Sequence, residues 1–158
     1  MGEGPRITCA TVGKVVDLGQ SDTNDMGSAM APAAVDTIKM HLADLNRPAD
    51  YYDLIVTGDL GKVGMAMAGQ LFVKEGIVPV NTYSDCGVLL YDGQQDVNSG
   101  GSGCGCSAVM LCGPLLKKMI NGEIRKMLLV ATGALMSPTT SFQGETIPGI
   151  AHAVAIEM

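Results

Sequence analysis

The stretch Asn98-Ser99-Gly100-Gly101-Ser102-Gly103-Cys104-Gly105-Cys106-Ser107-Ala108 constrains this chain most, because it runs straight into the apolar segment Val109 to Ile120. Glycines among small polar and thiol residues, followed by about three turns of helix formers, read as a backbone-lined loop feeding a helix N-terminus. Unpaired backbone N–H groups and the positive end of the helix dipole suit an anion there, with no basic side chain needed. The helix carries Val109, Met110, Leu111, Cys112, Leu115, Leu116, Met119 and Ile120 over every side, the pattern of a helix buried between two layers. Pro114 should kink it or mark a weak turn.

A chain of 158 residues suits one core, expected to span residues 1–158. Trp is absent and Phe occurs twice, so that core is aliphatic and rich in Met, and its helices can approach closely. A net charge of -6 argues against a nucleic-acid partner or an anionic membrane surface, both of which call for a basic patch. Five cysteines form an odd set with no secretory signal ahead of them, and reduced thiols in a cytosolic setting are expected. No apolar run reaches the roughly 18 to 20 residues of a membrane span.

The pattern along the chain predicts an α/β fold. A strand over 7–18 is broken by Gly13 and open to a bulge. A helix over 26–45 repeats Met30, Ala33, Ala34, Ile38, Leu42 and Leu45 at helical spacing, with His41 at what reads as an exposed position. A buried strand over 52–59 leads to a helix over 62–74, stopped by Gly76. Short strands over 77–80 and 88–91 flank Tyr83 to Gly87, a turn by composition. The glycine stretch and its helix follow, then a central strand over 126–132, a long loop from Gly133 to Gly149 rich in hydroxyls, and a last strand over 150–158. This order implies a mixed, mostly parallel five-stranded sheet with helices on both faces and an antiparallel pair at its end.

Several groups invite a chemical reading. Cys104 and Cys106 lie where loop becomes helix, which lowers a thiol pKa, but no histidine is adjacent to take the proton, and small buried packing residues are the alternative. Cys104, Cys106 and Cys112 match none of the usual zinc spacings. Gly103-x-Gly105-x-x-Ala108 fits the dinucleotide fingerprint only formally, without the strand before it or the acidic residue after it. Asp59 and Asp85 close two loops, either as a general base or cation ligands facing one pocket, or as turn caps.

Several motifs in order carry a resemblance over nearly the whole chain. Gly58-Asp59-Leu60-Gly61-Lys62-Val63-Gly64, Ser84-Asp85-Cys86-Gly87, the glycine stretch, Ala131-Thr132-Gly133-Ala134-Leu135-Met136-Ser137-Pro138 and Ile147-Pro148-Gly149-Ile150-Ala151-His152-Ala153-Val154 resemble the C-terminal half of the stage V sporulation protein AD family. The resemblance implies a thiolase fold, in which two similar α/β halves share a central helix layer. It further implies a binder of dipicolinic acid (pyridine-2,6-dicarboxylate) during uptake into the forming spore, with no cofactor and no condensation chemistry. In catalytic relatives the second half brings a His near Gly58-Asp59-Leu60 and an Asn or second His near Gly101-Ser102-Gly103, and neither residue stands there in this chain. Asp59, Asp85, Gly101, Ser102, Gly103 and Cys104 are the candidate ligand residues. The implied partners are an N-terminal half or a second copy of the chain, giving a homo-oligomer, and spore-membrane channel proteins; the implied place is cytoplasmic, at the forespore or spore inner membrane. An acyl transferase of the thiolase type and a purely structural component of the channel assembly remain the alternatives.

Overall fold

A computed structural model describes residues 4–77, 83–91, 93 and 95–158. Five strands form one sheet: β1 (Arg6–Val12), β2 (Leu54–Thr57), β3 (Tyr83–Asp85), β4 (Lys126–Ala134) and β5 (Gly149–Glu157). Their order is β1-β5-β4-β2-β3. β2 runs parallel to both β3 and β4, while β5 is antiparallel to β4 and to β1.

Alternation along β4 separates two cores. Leu128 and Val130 face α1 (Met26–Asp44) and α2 (Gly61–Lys74), against Ala33, Ala34, Ile38, Ala68 and Phe72. Met127 and Leu129 face the other side and meet Cys106, Met110, Leu115 and Met119. Those four come from α4 (Cys106–Met110), a π-helical turn at Leu111–Leu115 and α5 (Leu116–Ile120), which continue one another. The turn falls at Pro114, whose missing N–H breaks the ordinary ladder. Helices thus cover both faces of a mixed α/β sheet.

The second core is open on one side. Val109 is 59% exposed and Ile120 66%, so the helix expected to be buried all round buries one side only within this chain. The sheet is equally bare beyond that helix. Register places Val12 and Ala131 beside His152 on the same face, and all three are exposed.

Local differences from the sequence reading have physical causes. The first strand stops at Val12 rather than running to residue 18, because the Gly13 N–H turns to His152 Nδ1 at 3.1 Å, and only Val16 pairs again, with Gly149. A bulge lies between Ile7 and Cys9. Residues 83–85 are strand rather than turn. The expected strand over 88–91 is replaced by the helical turn α3 (Cys86–Leu89), started by the Asp85 side chain, which accepts from the Gly87 and Val88 N–H groups. Of the expected strand over 77–80, residues 78–80 lie outside the described residues. The loop after β4 holds a short helix, α6 (Pro138–Phe142), built on a capping box between Ser137 and Thr140. His41, placed outside by the helical pattern, is completely buried.

Candidate functional site

The parallel strands β2, β3 and β4 point their C-terminal ends the same way, and in open α/β sheets ligands bind in the crevice at those ends. Thr57, Asp85 and the glycine stretch meet at that edge. Asp85 ends β3 with its side chain fully buried. Its Oδ1 accepts from the N–H groups of Gly61 and Gly87, both at 2.9 Å, and of Val88 at 3.3 Å. Its Oδ2 accepts from the Leu60 N–H at 2.9 Å and the Thr57 hydroxyl at 2.7 Å. One carboxylate therefore ties the N-termini of α2 and α3 to the end of β2. Burial pushes its pKa up, against the pull of these donors. Asp85 lies beneath the site and has no surface on it.

The glycine loop docks onto this frame by backbone. The Gly101 N–H donates to the Gly87 carbonyl at 2.8 Å, and the Lys62 N–H to the Ser99 carbonyl at 2.7 Å. A Cβ on Gly87 would stand 2.2 Å from the Gly101 carbonyl oxygen, so the approach requires glycine there.

Asp59, in the turn after β2, holds the loop's other end. Its Oδ2 accepts from the Gly103 N–H at 2.9 Å and the Ser102 hydroxyl at 3.4 Å, while its Oδ1 accepts from the Thr132 hydroxyl at 2.9 Å. Thr132 returns the contact by accepting the Asp59 N–H at 3.1 Å. The loop does gather donors for an anion, as its composition suggests, and in this structure the anion is the chain's own carboxylate.

Beside Asp59 opens a cleft of about 390 Å³. Its walls are the start of α1 at Asp25 and Gly27, the entry to α2 at Leu60 and Gly61, and Ser99 to Ser102. Of the candidate ligand residues, Asp59, Gly101 and Ser102 line it; Gly103 and Cys104 are exposed next to it and Asp85 is underneath. Ser99, Asn24 and Asp25 line it too without having been singled out as ligand residues. Ser99 opens the glycine stretch, and its hydroxyl accepts from the Val63 N–H at 3.3 Å. Thr132 was also missed, though a hydroxyl at the end of the central strand, beside the strand that leads to Asp59, is the signal that finds it.

The thiols divide by burial. Cys86 and Cys106 sit in the second core, and burial pushes Cys86 up to about 12 and Cys106 upward as well. Desolvation first, then the Asp59 and Asp85 charges, sets the direction at Cys106. Cys104 and Cys112 are exposed.

Helices on both faces of this five-stranded sheet, with β5 antiparallel to its neighbours, define a thiolase-like α/β fold. The chain superposes on 3-oxoacyl-[acyl-carrier-protein] synthase III from Aquifex aeolicus VF5 with a TM-score of 0.54 at 13% identity, covering 98% of this chain and 54% of the synthase. The corresponding synthase (FabH) from Pseudomonas aeruginosa PAO1 gives 0.51 at 11% identity, covering 99% and 52%. The family is a sporulation one: residues 1–157 match the model for stage V sporulation protein AD (SpoVAD), and the chain belongs to that family. It is 55% identical over 153 residues to stage V sporulation protein AD of Bacillus subtilis (strain 168). That alignment covers 96% of this chain and 45% of the relative, so the chain spans less than half the relative's length. Among the described residues no helix is long and apolar enough to cross a membrane.

Proposed function

We propose that this chain is a noncatalytic binding module for dipicolinic acid, free or as its calcium chelate, serving uptake into the developing spore. The observation that carries the reading is the Asp59 contact. Where catalytic thiolase-fold relatives are expected to bring a His and an Asn together, this chain brings an aspartate onto the Gly103 N–H and the Ser102 hydroxyl. A carboxylate cannot donate to a thioester oxyanion as an imidazole does. The cleft offers hydroxyls at Ser99 and Ser102 and apolar surface at Met26 and Val63, a combination that suits a flat heteroaromatic acid. Asp25 and Asp59 favour the calcium chelate over the bare dianion.

The bare side of the second core supports a partner, either the N-terminal half of the family's longer proteins or a second copy of this chain. Work beside spore-membrane channel proteins, at the forespore or spore inner membrane, belongs to the same reading. Calorimetric titration with dipicolinate, with and without calcium and with benzoate as control, tests it. Saturable heat that benzoate does not reproduce supports the reading, and a folded chain giving none under either condition refutes binding by this chain alone. A particle mass above one chain in solution is expected.

The synthases that share the fold favour one other reading, acyl transfer. Thioester cleavage on adding an N-terminal half would support it against binding alone.

A further inference from the structure

Asp59 makes contacts that an anionic ligand of the glycine loop would need for itself. Its Oδ2 takes the Gly103 N–H and the Ser102 hydroxyl, and Ser102, like Asp59 itself, lines the open 390 Å³ cleft. The side chain is only partly buried, unlike Asp85, and among the described residues the Thr132 hydroxyl anchors its other oxygen. Asp85 is enclosed by five donors and has nowhere to go. Asp59 has open space next to it.

We propose that Asp59 is a tethered occupant of the glycine-loop donors, and that an anionic ligand gains the Gly103 N–H and Ser102 hydroxyl by displacing it. The inference rests on the reading of this edge as an anion-binding site. It adds a built-in competitor that keeps the loop closed until a stronger acceptor arrives. A ligand carboxylate replaces the Asp59 carboxylate like for like on the Gly103 N–H and the Ser102 hydroxyl, and the cost lies in moving one charge toward the cleft and releasing the Thr132 hydroxyl from Oδ1.

The test compares the wild-type chain with Asp59→Ala, Asp59→Asn and Asp25→Asn, each checked for native circular dichroism. Cys104 is exposed and follows Gly103 directly, so its alkylation by anionic iodoacetate relative to neutral iodoacetamide, read by peptide mass, reports anion capture beside it. Asp59→Ala empties the donors and should raise that ratio about tenfold, whereas removing charge alone at Asp25, or keeping an acceptor oxygen in Asp59→Asn, should raise it no more than about threefold. Equal ratios in Asp59→Ala and Asp59→Asn overturn the proposal, because loss of charge then explains everything. Should Asp59→Ala not fold, Thr132→Val removes the tether at constant charge; a ratio raised about threefold supports displacement and an unchanged one overturns it. Dipicolinate titration of the same proteins separates the two readings. A raised alkylation ratio with no dipicolinate bound by any variant refutes the ligand and keeps the displaceable carboxylate, while dipicolinate binding weakened by Asp59→Ala overturns displacement and makes Asp59 a ligand group.

Discussion

His41 Nε2 lies 2.6 Å from the phenol oxygen of Tyr52, and neither side chain has any exposed surface. The Tyr52 oxygen also accepts from Arg47 Nη1 at 2.7 Å, so its own proton goes to His41. His41 Nδ1 then carries the ring proton and donates to Thr11 Oγ1 at 2.8 Å. Helix α1, strand β1 and the turn before β2 are joined through one neutral imidazole.

That arrangement has a pH signature. Burial first, and the Arg47 charge second, lower the His41 pKa from its ordinary 6.5, with Asp44 opposing weakly. The unfolded chain takes up the proton near 6.5 and the native chain only further down. The contribution of His41 is therefore complete above pH 6.5 and lost progressively as pH falls below it. Urea midpoints at pH 7.5, 6.5 and 5.5 should decline on acidification, and His41→Gln, less stable throughout, should decline less steeply. Parallel declines would rule out His41 as the source.

Asp85→Asn replaces one carboxylate oxygen with an NH₂ group that faces either the Leu60 N–H and Thr57 hydroxyl or the three N–H groups on the other side. A loss of about 2–4 kcal/mol is expected from unmade hydrogen bonds to a buried charge and a stranded donor. Chemical denaturation measures it, and a change under about half a kcal/mol would contradict the account of Asp85 as the central tie.

Helices α1 and α2 touch backbone to backbone. A Cβ on Gly64 would stand 2.6 Å from the Gly27 carbonyl carbon and oxygen, whereas one on Gly69, in the same helix, meets nothing within 4 Å. Gly64→Ala should cost about 1–3 kcal/mol by forcing the helices apart. Gly69→Ala should stabilise by roughly 0.5–1 kcal/mol through helix propensity. Thermal melts of the two variants should move in opposite directions.

Four of the five thiols should label in two classes, with the half-buried Cys9 between them. At pH 8, Cys104 and Cys112 react readily with a small disulfide reagent, and Cys86 and Cys106 wait for unfolding. Mass spectrometry of briefly labelled protein counts them. Rapid native labelling of Cys106 would mean that the helix end, and not burial, governs its thiol.

Long periodic elements were legible in the sequence because their pattern and their burial have one cause. The spacing of Met30, Ala33, Ala34, Ile38 and Leu42 marked α1, and the apolar run from Met127 to Val130 marked the central strand. His41 was misplaced because polarity alone does not reveal that Thr11 and Tyr52, one far along the chain, would satisfy it inside. Residues 83–91 were misread for a related reason: Asp85 settles that segment by capturing four N–H groups, two of them, those of Leu60 and Gly61, in another loop. The glycine stretch announced donors for an anion, but only the folded chain brings Asp59 to them.

The π turn at Leu111–Leu115 closes with the Leu116 N–H reaching the Leu111 carbonyl, five residues back. The residues that face the sheet on either side, Cys106, Met110, Leu115 and Met119, are spaced by four, five and four. An uninterrupted α-helix would carry that seam with intervals of three or four and none of five. The segment therefore holds one residue more than its contact with the sheet uses. Removing Pro114 would let the ladder close regularly while Leu115 and Met119 step back one place and still point at Leu129 and Met127. A shortening of the chain at this single position is one that the second core can absorb.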